Sequence, residues 1–300
     1  KEDMMLTLAT LYSASGKFDE AGKIYEHFDS KYGVNQRSTA EAIKNLMWAK
    51  KYSEAESKAL ELLKEYPDEI LYNGLLAEIY SAKGEQEKAM EVYTGLMERN
   101  PGNPQTLLSL CDFLLAEKKY DDLFELLNIV TLNEDISRED KLSLFARILE
   151  TDDIVNKESE KLTFTLMILE AQYREDHIVQ LYRPELLSRQ AKYEEASARL
   201  DEIIKYQPDN YFAWEKLLLV SLDNEDFKRL EEKGRECATR FNRSFLAKIL
   251  YATGASQNEK FDIALEELRK AGILAGSNPE MMMQMLSIKA DVLYKMKHYT

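Results

Sequence analysis

The sequence predicts an all-α fold, a solenoid of stacked helix–turn–helix repeats. Similar residues return every 34 positions through most of the 300-residue chain, and each block holds two amphipathic helical patterns around one short turn. Stacked repeats of this kind contact only their neighbours, so such a chain forms an elongated body with a continuous thin core. Six prolines and eleven glycines leave few interruptions, which favours nearly continuous helix.

The repeat is clearest in residues 70–101, where two apolar-periodic runs flank the turn Lys83-Gly84-Glu85. Glycine tolerates positive φ in the turn, and the closing Pro101 stops the second helix. An aromatic residue opens the second helix in six of the seven regular repeats, with Gln86 as the exception. These aromatic residues are Phe18, Tyr52, Tyr120, Tyr193, Phe227 and Phe261.

We expect about eight repeats and a final helix in one continuous solenoid. Residues 1–137 hold four regular repeats, and residues 177–300 hold three regular repeats plus the final single helix. Residues 138–176 break the 34-residue register and predict a divergent repeat with a longer internal turn at Thr151-Asp152-Asp153. A boundary between two domains in this segment is the alternative. The chain starts and stops inside the repeat pattern, so we expect it to be a piece truncated at both ends.

Charge and composition exclude several function classes. The net charge of −14 argues against nucleic acid as the main partner, because phosphate binding needs a basic surface. No run of about 18 apolar residues occurs, so no membrane span is predicted. Cys111 and Cys237 occupy apolar-periodic helix positions and are predicted to be buried thiols, which leaves the cellular compartment open.

Neither catalysis nor a cofactor is predicted. His27, His177 and His298 are scattered, and neither cysteine stands at ligand spacing, so no metal site is expected. The chain has no phosphate-binding loop, no dinucleotide fingerprint and no nucleophile elbow. Paired acidic residues fall at helix starts, where they favour the helix dipole. We therefore expect a protein without enzymatic activity.

The clearest repeat carries Ala77, Tyr80, Gly84, Ala89, Tyr93 and Pro101 at its defining positions. These residues resemble the tetratricopeptide repeat family, and the resemblance covers almost the whole chain. The resemblance implies a right-handed superhelix whose first helices line a concave groove for a protein or peptide. The loosely conserved repeats look more like those of bacterial envelope and cytoplasmic members than those of chaperone adaptors. Pro184 departs from the pattern and predicts a kink or a late start of its helix.

Transferred position by position, the resemblance assigns a set of groove residues. They are Thr10, Lys44, Trp48, Leu71, Glu78, Gln105, Leu108, Asp112, Glu185, Phe212, Glu215 and Leu219. One branch of the family binds a C-terminal carboxylate through Lys and Asn, but several of these positions carry Thr or an acidic residue here, so acidic tails are disfavoured. An apolar groove with carboxylates suits a partner that carries Lys or Arg beside Leu-type anchors. The alternative is that these carboxylates form only a solvated helix face.

The resulting hypothesis is a protein-interaction scaffold or adaptor. The alternative is a regulatory or substrate-recruiting arm of a larger enzyme whose catalytic domain lies outside this chain. Met281, Met282, Met283 and Met285 on the last helix predict core that a following helix would cover. An uncovered apolar end of this kind favours self-association.

Overall fold

The computed structural model describes residues 2–33 and 35–298, and these residues form eighteen α-helices and one 3₁₀ turn without a strand. The predicted all-α class is therefore confirmed. The helices are α1 (Glu2–Ala14), α2 (Phe18–Tyr32), α3 (Gln36–Trp48), α4 (Tyr52–Glu65), α5 (Ile70–Lys83), α6 (Gln86–Arg99), α7 (Pro104–Ala116), α8 (Tyr120–Leu132), α9 (Arg138–Leu149), α10 (Asp152–Lys157), α11 (Ser159–Gln172), α12 (Tyr182–Arg189), α13 (Tyr193–Tyr206), α14 (Tyr211–Asp223), α15 (Phe227–Arg240), α16 (Phe245–Gln257), α17 (Phe261–Ala275) and α18 (Pro279–His298).

The chain divides into two compact units, unit 1 (Lys1–Leu144) and unit 2 (Phe145–Thr300), and the division falls within α9. In unit 1 each helix from α1 to α8 packs against the next, and the first helices of successive repeats, α1, α3, α5 and α7, contact one another. In unit 2 the helices from α10 to α18 pack in the same sequential way, and α16 contacts both α14 and α18. Each unit thus has the nearest-neighbour packing of a repeat protein.

The predicted start of the second helix is confirmed in all seven regular repeats. Six of these helices begin at the aromatic residue named above, and α6 begins at Gln86. The residue two positions earlier has positive φ in every case, although only Gly16 and Gly84 are glycines. The others are Lys50, Lys118, Ala191, Glu225 and Glu259.

One hydrogen bond recurs at each of these turns. The residue after the positive-φ position donates its N–H to the carbonyl oxygen five residues earlier, as Glu85 does to Tyr80 (2.8 Å) and Asp226 to Ser221 (2.9 Å). This bond is the longer one of the Schellman motif, which satisfies a carbonyl group left open at the end of the first helix. The hydrogen bond forms whether or not glycine occupies the turn.

The segment of residues 138–176 differs from its prediction. The expected turn at Thr151-Asp152-Asp153 is instead the start of the short helix α10, with both aspartates in its first turn. Negative charge is favourable at that end of a helix. The late start predicted at Pro184 is confirmed, because α12 begins only at Tyr182 and places the proline in its first turn, where no intrahelical N–H bond is required.

The core contains both cysteines as buried thiols outside any disulfide, as predicted. The prediction for the methionines needs correction. Met285 is only 8% exposed, and Met281 and Met282 pack against the core of unit 2, so these α18 side chains are covered without a following helix. The exposed apolar residues of α18 are Met283, Leu286, Leu293 and Tyr294. No helix in the described part of the chain is long and apolar enough to cross a membrane.

Candidate peptide-binding cavity in unit 1

Three first helices of unit 1, α3, α5 and α7, contribute to a cavity of about 470 Å³. Four predicted groove residues line it: Lys44, Leu71, Glu78 and Asp112. The remaining lining residues are Ile70, Gly74, Leu75, Ser81, Tyr93, Ser109, Phe113, Ala116 and Glu117. Leu71, Gly74 and Glu78 stand at helical spacing on one face of α5, so a single helix presents an apolar anchor, a gap and a charge in succession.

The floor of the cavity includes Tyr93, which reaches it from the second helix α6. Its side chain is only 4% exposed, and its ring packs against Phe113 with 5.2 Å between the ring centroids. A Cβ atom on Gly74 would lie 4.0 Å from the Tyr93 hydroxyl oxygen. Because Gly74 has no side chain, the hydroxyl lies under open space. Within the described residues this hydroxyl makes no hydrogen bond.

The cavity carries more negative than positive charge. Glu78, Asp112 and Glu117 line it with one basic residue, Lys44. Desolvation raises the pKa of the Glu78 carboxyl above its usual range, and the charge of Lys44 offsets only part of that rise. The Lys44 ammonium itself lies 3.6 Å from the carboxylate of Glu41. A cation placed beside Glu78 would offset this desolvation of its carboxylate.

The same charges act on Tyr93. Burial raises the pKa of its hydroxyl, and the neighbouring carboxylates of Glu78 and Asp112 raise the pKa further. The hydroxyl therefore stays protonated, and it can donate one hydrogen bond while accepting others. The cavity floor consequently offers a neutral hydrogen-bonding group between two acidic ones.

The other predicted groove residues of unit 1 do not line this cavity. The Thr10 hydroxyl donates a hydrogen bond to the carbonyl oxygen of Leu6 (3.0 Å). Trp48 is half exposed at the end of α3. Gln105 and Leu108 lie on α7 two turns and one turn before Asp112.

In unit 2 the predicted acidic groove is partly neutralised by the chain itself. Glu185 on α12 forms an ion pair with Lys216 on α14. Glu215 is half-buried near Tyr211, whose pKa is raised mainly by burial and also by this carboxylate. Leu219 packs against the core of unit 2, and Phe212 is exposed. Of the two predicted acidic groove residues of unit 2, Glu185 is therefore already paired with a cation of the chain.

Sequence reasoning missed Tyr93 and Phe113 as cavity residues. The resemblance assigns the groove to first helices, and Tyr93 lies on a second helix, where it counts only as a repeat-defining residue. The pattern that could have revealed it is the glycine at position 74, which leaves the α6 tyrosine uncovered. Among the described residues, no group of three His, Cys, Asp or Glu side chains is arranged to hold a metal ion. The side chain of His298 lies outside the described residues.

Comparison with known proteins gives one family match and several structural likenesses. The tetratricopeptide repeat family matches residues 74–105, the stretch that contains Gly74, Glu78 and Tyr93. No curated protein sequence matches the chain.

Three solved structures resemble the chain at low identity. A tetratricopeptide repeat protein from Parabacteroides merdae has 13% identity and a TM-score of 0.36, with 96% of this chain and 98% of that chain covered. The Cut9-Hcn1 hetero-tetramer of the APC/C has 8% identity and a TM-score of 0.42, with 92% and 52% covered. Yeast Tom70 has 13% identity and a TM-score of 0.43, with 95% and 60% covered. The chain thus spans less than two thirds of the last two.

The match covers one repeat, and the chain's own repetition extends the same local geometry beyond it. The matched stretch includes the turn at Gly84, and the same turn geometry returns in all seven regular repeats. Folds of this kind are in general scaffolds for protein–protein interaction. Residues 74–105 of the chain match the tetratricopeptide repeat family.

Proposed function

We propose that the cavity between α3, α5 and α7 binds a peptide segment in which a basic residue stands beside leucine-type residues. The observation that supports this function is the combination of Glu78 and Asp112 with an apolar lining. The apolar residues Leu71 and Leu75 offer contacts to leucine side chains, while the carboxylates favour a cation. The chain would then act as a scaffold that holds its partner through this segment.

Several contacts support a role in binding over a merely solvated helix face. A solvated carboxylate keeps its ordinary pKa, whereas desolvation raises the pKa of Glu78. The ammonium group of Lys44 is directed to Glu41 at 3.6 Å. The Glu78 carboxylate forms no hydrogen bond or close ion pair within the described residues, so it remains able to pair with a partner's cation.

Short synthetic peptides on an array would test this proposal. The peptides would combine leucine with Arg, Lys, Glu or Ser at varied spacings, and the labelled protein would be applied as the intact chain. We expect retention on peptides that carry a basic residue beside leucine and none on acidic peptides. The charge-reversed variant Glu78→Lys/Asp112→Lys should lose at least about tenfold in affinity, which corresponds to ~1.4 kcal/mol.

A matched control is available on the second helix α6. Glu91 and Glu98 are both exposed there, and Glu91→Lys/Glu98→Lys makes the same change in net charge away from the cavity. This control should keep the affinity of the wild type. Equal binding by the cavity variant and the wild type, or retention of acidic peptides, would contradict the proposal.

The alternative function, a regulatory or substrate-recruiting arm of a larger enzyme, would use the same cavity. It differs from the adaptor function only in what the rest of a longer protein would do with the bound segment. A catalytic motif in the full open reading frame would favour it over the adaptor.

A further inference from the structure

We propose that the cavity between α3, α5 and α7 is a pocket for the guanidinium group of an arginine, with the Tyr93 hydroxyl as a hydrogen-bonding partner on its floor. This inference rests on the proposed function and specifies its basic residue. It is based on the cavity-lining Tyr93 hydroxyl beside Gly74, the Phe113 ring beside Tyr93, and carboxylates on two different helices.

The acceptors are distributed in a way that suits a planar, branched cation. Glu78 projects from α5, Asp112 from α7, and the Tyr93 hydroxyl comes from α6. A guanidinium group has five N–H donors in a fixed fork, so it can reach acceptors on several sides at once. A lysine ammonium is a compact point charge with three donors, and it would engage fewer of them.

The aromatic lining adds a second preference for arginine. Tyr93 and Phe113 pack at 5.2 Å with an angle of 38° between their planes, and both line the cavity. Guanidinium groups stack on aromatic faces and are more weakly hydrated than ammonium groups. An enclosed site therefore costs an arginine less hydration than it costs a lysine.

The Tyr93 hydroxyl completes the arrangement. A guanidinium group has no acceptor, so the hydroxyl oxygen accepts a hydrogen bond from it and can donate its own proton to a neighbouring carboxylate. This hydroxyl makes no hydrogen bond to another described residue, and it lies at the surface of the cavity, where a bound group can reach it.

The test compares matched peptides on matched proteins. A peptide retained on the array is resynthesised with Arg, Lys or citrulline at its single basic position, and each version is titrated by fluorescence anisotropy. Citrulline keeps the shape of arginine without its charge. We expect the arginine peptide to bind about tenfold more tightly than the lysine peptide, and the citrulline peptide to bind more weakly still.

The variant Tyr93→Phe removes only the hydroxyl. Because that hydroxyl makes no hydrogen bond to another described residue, the variant should fold normally, and unchanged thermal unfolding would verify this. We expect the Arg-to-Lys preference to shrink severalfold in Tyr93→Phe and to persist in the control Tyr66→Phe, whose side chain is exposed.

The outcomes separate the two proposals. Equal affinity for the arginine and lysine peptides, or an undiminished preference in Tyr93→Phe, would overturn the arginine pocket and leave the basic-segment function standing. Failure of every basic peptide to bind would overturn both.

Discussion

Gly74 and Tyr93 face each other across the packed helices α5 and α6, because a Cβ atom on Gly74 would lie 4.0 Å from the Tyr93 hydroxyl oxygen. That distance is an ordinary contact, so a methyl group fits without displacing the tyrosine. A longer side chain would instead extend into the cavity. This one position therefore controls access to the floor without being part of the core.

Substitution of this glycine should separate binding from stability. Gly74→Leu is expected to abolish capture of basic peptides, because its side chain fills the space above Tyr93. Its free energy of unfolding should stay level or rise by up to about 1 kcal/mol, since glycine is a poor helix residue. Gly95→Leu on α6 is the control, because a Cβ there meets only the end of the flexible Arg99 side chain. Full peptide binding by Gly74→Leu would show that the segment binds elsewhere.

At neutral pH, the ionised Glu78 should lower the free energy of unfolding relative to an uncharged residue at the same position. Desolvation raises the pKa of this carboxyl, so the folded protein holds the proton more tightly than the unfolded chain. The ionised form therefore destabilises the fold above the folded-state pKa, and the cost disappears as pH falls below the unfolded-state pKa. Thermal unfolding of Glu78→Gln should show a higher midpoint than the wild type at neutral pH and no difference in acid. A pH-independent difference would contradict this assignment, and Glu91→Gln provides the exposed control.

The positive-φ turns give a paired test of backbone strain. Ala191 (φ 56°) and Gly84 (φ 80°) occupy equivalent turn positions. Ala191→Gly should raise the free energy of unfolding by about 0.5 kcal/mol, because the Cβ atom is unfavourable in this region. Gly84→Ala should lower it by about 1 kcal/mol for the same reason. Urea unfolding of both variants measures these changes. If the free energy of unfolding changed in the same direction in both variants, backbone strain would be excluded as the cause.

Arg199 forms ion pairs with one buried and one exposed carboxylate. The two pairs allow the stability contributions of a buried and a surface ion pair to be compared. Its guanidinium lies 3.0 Å from Glu170, whose side chain is 9% exposed, and 3.3 Å from Glu202, whose side chain is 65% exposed. Glu170 also accepts from Arg183 at 3.1 Å. Glu170→Gln should cost about 3 kcal/mol of unfolding free energy, because two guanidinium groups lose their counter-charge. Glu202→Gln should cost less than about 1 kcal/mol. Denaturant titrations that gave the two variants equal stability would contradict this distinction.

Self-association through α18 stays a prediction, now assigned to different residues. The exposed side chains are Met283, at 71% exposure, and Leu286, whereas Met285 is buried. We expect light scattering to show a mass that rises with concentration, and Met283→Glu/Leu286→Glu to abolish that rise. Ile273→Glu on α17 is the control for an exposed apolar residue elsewhere. A constant monomeric mass in the wild type would exclude this surface as an interface.

Much of the fold could be predicted because each repeat carries local signals. The aromatic residues fixed the first residue of six second helices, and Pro184 indicated the late start of α12. The divergent segment was less predictable. Asp152 and Asp153 have the polarity of a turn, yet the same charges favour the first turn of a helix, and sequence alone could not choose between them.

The candidate cavity was predictable only in part. Lys44, Leu71, Glu78 and Asp112 follow from their positions on first helices, and the structure brings them together. Tyr93 could not be inferred in this way, because its role depends on packing between α5 and α6. Glu185 was predicted as a groove carboxylate, but its ion pair with Lys216 could not be predicted. That ion pair depends on side-chain positions in two helices.

The turns also bear on how such a chain can diverge. Five of the seven keep their left-handed residue with Lys, Ala or Glu in place of glycine, held by the same backbone hydrogen bond. Mutation can therefore replace the turn glycine, the most recognisable residue of the motif, while the turn keeps its geometry. Such a protein can keep its stacked helix pairs after its sequence has lost detectable similarity to related sequences.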